Sequence, residues 1–407
     1  MRQRQFDLIL FGASGFTGQL VVEYLIDQYG VDGDLKWAIA GRNREKLEQV
    51  RSAWLPPEQC GQLPILSADT ADPSSLERLC RQTRVLCSTV GPYAKTGTPV
   101  VAACVASGTH YCDLCGEVPW MAKVIASYQR AARASGARLI HACGFDAIPS
   151  DMGTWFLQRA MHERHGVSAG RVKARVGRIR SAPSGGTVAS VLNLLQEAGR
   201  DRAVRRVLAD PYALYPAGVE PGGDGADQRG ARFDPDFHQW TSPFIMAGVN
   251  TRIVRRSNAL LGFPWGEDFR YDEAVLNRSH YQAVRAAVAT GAGMFALALG
   301  PTRTLARHFL PQPGAGPDRA EREAGFFEIF FRGIHRRDRT RDILVKVTGD
   351  MDPGYGSTAK MLGEAAVCLA RGEHDVGGGF WTPASALGEK LLDRLIARAG
   401  LTFDVIG

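Results

Sequence analysis

Lysine is scarce in this chain of 407 residues: it supplies only 8 of the 49 basic side chains, so the net charge of +7 is carried by arginine. No run of five or six like charges occurs, which excludes a basic nucleic-acid-binding arm, although planar guanidinium groups still suit phosphate or carboxylate ligands. No apolar run reaches the ~20 residues that a helix needs to span a bilayer. Ala286–Thr302 comes nearest to raising that question, with 17 uncharged residues rich in Ala and Gly. A buried helix is expected there, and contact with lipid or an acyl chain is the alternative. The opening residues lack the apolar stretch of a secretory signal, so a cytoplasmic chain is expected, with peripheral membrane association left open. Behind Cys112-x-x-Cys115 no second Cys or His pair follows at ligand spacing, so no metal is expected. Seven of the eight Cys fall in the first 150 residues, inside apolar segments, where reduced thiols are expected.

Apolar residues make up 45% of the chain, with 18 Phe, 10 Tyr and 7 Trp, enough for a large core and incompatible with a mainly disordered polymer. At roughly 150 residues per domain the length implies two or three domains. From residue 6 to 141, short apolar runs alternate with amphipathic stretches, the pattern of an α/β doubly wound parallel sheet. Strands are expected at Phe6–Phe11, Leu35–Ala40, Pro64–Leu66, Val85–Val90, Tyr111–Asp113 and Arg138–His141. Helices are expected over about 15–29, 43–53, 73–81, 98–107 and 118–135, the third opened by Asp72-Pro73-Ser74 as a cap followed by Pro at the first helical position.

Beyond residue 150 the extended runs Arg171–Ile179, Phe326–Ile334 and Ile343–Thr348 stop alternating with helices, so a second α+β domain with a mostly antiparallel sheet is expected. The expected divisions are 1–150, 151–355 and 356–407, the last formed by helices over about 356–371 and 383–399 that pack back on the first domain. Asp210–Pro243, rich in Pro and Gly, reads as a long loop and a candidate mobile cover over the cleft. Pro311–Pro317 reads as a separator before the final strands.

The most informative segment is Phe11-Gly12-Ala13-Ser14-Gly15-Phe16-Thr17-Gly18, where a strand runs into three glycines that open a helix. Gly12 permits the tight turn, Gly15 lets the backbone approach a pyrophosphate, and Gly18 lets the helix pack closely on the strand. The amides and dipole of the helix start, Phe16 included, then hold phosphates, and Ser14 and Thr17 can add hydroxyl donors. An acidic residue at the tip of the second strand would bind the ribose 2′-hydroxyl of NAD, and none stands there. The run Ala40-Gly41-Arg42-Asn43-Arg44 instead puts Arg42 where a 2′-phosphate would lie, with Asn43 beside it. NADP(H) is therefore the expected cofactor, a solvated Arg42 being the alternative.

Other candidates follow the remaining strands. Asp69 could bind the adenine amino group or cap a helix. Val90-Gly91-Pro92-Tyr93 follows the fourth strand and borders the nicotinamide half of such a cleft, where Tyr93 could stack, donate a proton or simply pack. Asp113 and Glu117 could act as an acid–base pair or as helix caps. Asp146, after Gly144 and Phe145, faces the same half of the cleft, and His141 is either a core histidine or a reserve proton donor. Arg171, Lys173 and Arg175 alternate along a strand as a solvated face or a grip for an acidic partner.

These segments, with Tyr111-Cys112-Asp113-Leu114-Cys115-Gly116-Glu117 and Gly144-Phe145-Asp146-Ala147-Ile148-Pro149-Ser150-Asp151, resemble the saccharopine dehydrogenase-like oxidoreductases, and within them the trans-acting enoyl reductase branch. Ser184-Gly185-Gly186-Thr187, Gly354-Tyr355-Gly356-Ser357-Thr358 and Trp381-Thr382-Pro383-Ala384 extend the likeness over nearly the whole chain. The resemblance implies a Rossmann domain carrying NADP(H), a second α+β domain, and reduction of an unsaturated acyl or polyketide thioester, on a carrier protein, in lipid biosynthesis. Cofactor contacts are expected from Gly12, Ser14, Gly15, Phe16, Thr17, Gly18, Arg42, Asn43, Asp69, Val90, Gly91, Pro92, Tyr93, Asp113, Gly144 and Phe145, and the catalytic candidates are Tyr93, Asp146 and His141. A saccharopine-type amino-acid dehydrogenase and a non-catalytic NADP-binding lipid-associated protein are the alternatives.

Overall fold

Near-continuous apolar runs form six parallel strands, β1 (Phe6–Phe11), β2 (Trp37–Gly41), β3 (Ile65–Ser67), β4 (Thr83–Ser88), β5 (His110–Asp113) and β6 (Arg138–Ile140). The computed structural model describes residues 4–181, 185–298 and 316–407, so Ser184, most of Pro311–Pro317 and the end of Ala286–Thr302 lie outside the described residues. Both faces of the six strands are covered. Leu8 and Leu10 of β1 enter one core and Ile9 and Phe11 the other, which is why polar and apolar residues do not alternate along them. Their spatial order is β3-β2-β1-β4-β5-β6, and the reversal of winding between β1 and β4 leaves a crevice at the C-terminal ends of the strands.

The connecting helices match the sequence pattern with two differences. A short helix, Pro57–Cys60, precedes β3, and the helix expected over 98–107 begins at Tyr93 and continues to Ser107 with Pro99 inside it. The extra turn is held by the Glu117 carboxylate, a partner remote in sequence. Asp72 caps the helix Pro73–Gln82 by accepting from the Ser74 amide at 3.0 Å.

The second sheet contains β7 (Arg171–Arg180), β8 (Arg232–Asp234), β9 (Gln239–Ser242), β10 (Arg270–Asn277), β11 (Phe326–Ile334) and β12 (Ile343–Gly349). It is antiparallel except where β7 meets β10. One face lies on the helix Ile148–His165, where a Cβ on Gly153 would sit 2.6 Å from the Phe331 ring. On β7 the structure corrects the sequence reading of a solvated or ligand-gripping cationic face. Lys173 and Arg175 are 7% and 3% exposed, and Asp234 of β8 accepts from both, at 2.9 and 2.7 Å. Arg175 also reaches Asp272 at 2.6 Å.

The supposed cover is likewise corrected. Asp210–Pro243 carries the β8–β9 hairpin, and Asp224 accepts from Arg255 and from the Tyr271 amide, both at 2.8 Å. Asp227 pairs with Arg252, so charge anchors this segment to the helix Ala247–Leu260.

The C-terminal residues contribute strands as well as helices. β13 (Gly379–Trp381) extends the parallel sheet beside β6, and β14 (Leu401–Val405) joins the second sheet beside β12. The helix Gly356–Ala370 is buried against the helix Phe16–Tyr29, where Glu364 accepts from the hydroxyls of Tyr24 and Tyr29 at 2.6 Å and pairs with Arg394 at 3.1 Å. The described part of the expected buried helix, Ala286–Ala298, is instead the latter part of a helix His280–Ala298 that leaves large apolar side chains in water.

Candidate functional site

The crevice begins at the glycine turn between β1 and the helix Phe16–Tyr29. Gly12 has φ +97°, and a Cβ there would meet Thr89 Oγ1 at 2.7 Å and the Val90 side chain at 2.8 Å. At Gly18 a Cβ would lie 2.2 Å from the Gly12 carbonyl oxygen, so the helix can approach the turn only without a side chain. Gly15 stands at the helix N-cap and no side chain caps it. The first-turn amides at Phe16, Thr17 and Gly18 therefore have no intrahelical acceptor, which is the condition for holding a diphosphate. The Phe16 ring packs edge-on against Tyr355 at 4.8 Å, and the Ser14 carbonyl accepts from the Gln19 side chain at 3.1 Å.

At the tip of β2, Arg42 is exposed and pairs with no carboxylate among the described residues, whereas Arg44 binds Glu48 at 2.9 Å. Asn43 Oδ1 accepts from the Lys46 amide at 3.0 Å, so its side chain caps the helix Arg44–Trp54. Asp69 Oδ1 takes the Ala71 amide at 3.0 Å in a local turn. An uncapped helix start bordered by bare glycines, with an unpaired guanidinium nearby, fits a dinucleotide carrying a 2′-phosphate.

On the other half of the crevice, Gly91 is exposed, and a Cβ on it would meet nothing nearer than the Tyr93 ring at 3.6 Å. Thr96 Oγ1 donates to the carbonyls of Val90 and Pro92 at 3.0 and 2.9 Å and fixes that loop. Tyr93 is buried, with its hydroxyl donating to the Ser88 carbonyl at 3.0 Å and its ring 5.4 Å from Trp120. This arrangement makes Tyr93 part of the floor and gives its proton an internal acceptor, against the proton-donor reading.

Glu117 caps the preceding helix Tyr93–Ser107, taking the amides of Tyr93 and Ala94 at 2.9 and 2.8 Å. Ser190, on the helix Gly185–Arg200, adds a third donor at 3.0 Å. Burial still raises the Glu117 pKa, outweighing these hydrogen bonds.

Asp113 does not open to the crevice. One of its oxygens takes the amides of Cys115 and Ala142 at 3.0 and 3.1 Å, and the other meets the Tyr111 hydroxyl at 2.9 Å and His141 Nδ1 at 2.8 Å. It therefore ties β5 to the chain after β6, where Ala142 adopts φ +60°. His141 is enclosed by Tyr111, Trp120 and Phe380, with no hydrogen bond to Nε2 among the described residues. These contacts favour the core reading of His141 and engage both oxygens of the Asp113 carboxylate within the protein.

Asp146 has a different setting. Seen from Gly116, whose Cβ would lie 3.3 Å from Asp146 Oδ1 and 3.7 Å from Val249, it stands where the parallel sheet meets the helix Ala247–Leu260. Burial, with the Asp113 carboxylate as a second cause, pushes its pKa up to about 7. Gly144 faces Leu114 and Thr358, the Phe145 amide donates to Thr358 Oγ1 at 3.0 Å, and the Phe145 ring packs on Phe327 at 5.0 Å. Sequence reasoning missed Val249, Ser190 and Thr358. Only Thr358 had a signal, within the Gly354–Thr358 block.

A seven-strand parallel sheet, six of its strands in this order and the seventh added by β13, with a glycine turn at its crevice and a second sheet alongside, defines a two-sheet dinucleotide-dependent oxidoreductase. The family described as saccharopine dehydrogenase NADP binding domain matches residues 8–140, and the N-terminal sheet is thus an NADP(H)-binding Rossmann unit. A Mycobacterium tuberculosis protein provisionally named a trans-acting enoyl reductase is 41% identical over 97% of this chain and 96% of its own. The trans-acting enoyl reductase of Mycobacterium ulcerans is 35% identical over the same shares. The chain belongs to this saccharopine dehydrogenase-like family of trans-acting enoyl reductases. Among solved structures, saccharopine dehydrogenase (L-Glu forming) of Saccharomyces cerevisiae shares the fold, with TM-score 0.53 and 12% identity over 98% of this chain and 99% of that one.

Proposed function

We propose that the chain reduces an α,β-unsaturated acyl or polyketide thioester, presented on a carrier protein, with NADPH as reductant. Family membership supports the reaction type, and the observation that carries the mechanism is Asp146, a carboxyl group with its pKa raised to about 7 beside bare Gly116 and apolar Val249. The first-turn amides of Phe16–Gly18 hold the diphosphate, and Arg42 takes the 2′-phosphate. Val90, Gly91, Pro92, Gly144 and Phe145 border the nicotinamide.

When bound, NADPH supplies a hydride, which adds to the β-carbon of the thioester. The β-carbon gains one C–H bond as the alkene electron pair moves toward the carbonyl, giving an enolate. Asp146 in its neutral form then protonates the α-carbon, leaving a carboxylate that regains its proton from solvent. Tyr93 supports the loop above it, and His141 with Asp113 braces the strand ends.

A saccharopine-type reaction would need cationic side chains open to substrate carboxylates. Lys173 and Arg175 are instead paired with Asp234. The test follows NADPH oxidation at 340 nm with an enoyl thioester on coenzyme A or a carrier protein. Turnover is expected with the enoyl substrate and not with saccharopine and NADP. Oxidation of saccharopine, with no consumption of NADPH by enoyl thioesters, would replace this reading.

A further inference from the structure

The helix His280–Ala298 packs one side on β9, β10 and the helix Gly185–Arg200, burying Ala283. Its other side is open. Tyr281, Val284, Val288 and Phe295 recur at three-, four- and seven-residue spacing and so form one stripe, with exposures of 69%, 38%, 63% and 68%. Half-exposed Phe233 of the edge strand β8 extends it through Trp240, whose ring lies 4.3 Å from His280. A row of large apolar groups in water marks an interaction surface.

Charge identifies the partner. From Ala274 to Ala298, the described helix and the residues just before it, the sequence has no Asp or Glu and carries Arg278 and Arg285. Arg278 is exposed at the start of the stripe, and the Arg285 guanidinium lies 5.6 Å from the Tyr281 ring. Two copies joined through this stripe would bring their arginines together, whereas an anionic layer would neutralise them. The helix is packed along one side and open along the other, so a helix lying in the interface is the geometry that fits.

We propose that this face of the helix His280–Ala298 is a peripheral docking surface for an anionic lipid membrane. The apolar stripe enters the boundary between headgroups and acyl chains, and the arginines meet lipid phosphates. The neighbouring helix Gly185–Arg200 carries Ser190, which reaches buried Glu117 at 3.0 Å, so the membrane face stands one helix from the cap of the helix Tyr93–Ser107. This surface is separate from the crevice and does not depend on which substrate the crevice takes.

The full chain is sedimented with vesicles of phosphatidylcholine alone and of phosphatidylcholine mixed with phosphatidylglycerol. Partitioning onto the anionic vesicles is expected to exceed that onto neutral ones by about tenfold or more and to fall with added salt. Val288→Glu should lower it by about tenfold, and Arg278→Gln or Arg285→Gln by about fivefold each, with NADPH binding and melting temperature unchanged. Three results would overturn the proposal: no binding to anionic vesicles, Val288→Glu binding like the wild type, or a wild-type dimer in solution that Val288→Glu dissociates.

Discussion

Replacing Asp146 with Asn tests both the site and the electrostatics behind it. The Asp146 pKa rises from its ordinary 3.8 to about 7 on folding, because burial near Asp113 disfavours the charged form. The folded state therefore holds this proton more tightly than the unfolded chain. Stability is fully expressed below pH 3.8 and declines as pH rises toward 7, at about 1.4 kcal/mol per pH unit, for a total of up to ~4 kcal/mol. The amide cannot ionise, so Asp146→Asn should lose this decline and gain a few kcal/mol relative to the wild type at pH 8 compared with pH 4. Asp151, also raised to about 7, titrates in both proteins and cancels from the difference. Urea unfolding of the cofactor-free protein at the two pH values measures it. If Asp146 is the acid, kcat should fall about 10²–10³-fold in the variant. The wild-type decline in rate above pH 7 should disappear with it. A variant with the same pH dependence of stability and the same pH–rate profile as the wild type would refute the reasoning.

Arg42→Ala should weaken NADPH binding by about ten- to a hundredfold and leave NADH binding nearly unchanged, since only the 2′-phosphate loses its charge-assisted bonds; calorimetry with both nucleotides distinguishes this from a general loss. Tyr93→Phe removes one buried hydrogen bond to the Ser88 carbonyl, so stability should drop by about 1 kcal/mol while turnover stays within about threefold. Arg175→Met takes one of two cationic partners from Asp234 and from Asp272, leaving Lys173 and Arg171 in place, and should cost about 2–3 kcal/mol, read as a lower urea midpoint, without a change in KM. Gly18→Ala forces a Cβ to 2.2 Å from the Gly12 carbonyl and should abolish measurable NADPH binding in the same calorimeter.

Local signals account for what the sequence determined by itself. The alternation of apolar runs and helices along residues 6–141, the Gly12–Gly18 turn, the Asp72 cap and the absence of an acid at the tip of β2 depend on neighbours within a few residues, where backbone geometry and capping act. The parallel sheet and its cofactor were legible on those grounds. Tertiary structure decided the rest because the partners are far apart in the chain. Glu117 reaches back to Tyr93 and across to Ser190, Asp113 is spent on His141 and Ala142, and Lys173 and Arg175 meet Asp234 about sixty residues on. A carboxylate that caps, braces or donates a proton is the same letter in a sequence. Its role is set by desolvation and by which donors surround it, as the contrast between Asp113 and Asp146 shows, and both conditions arise only when remote segments fold together.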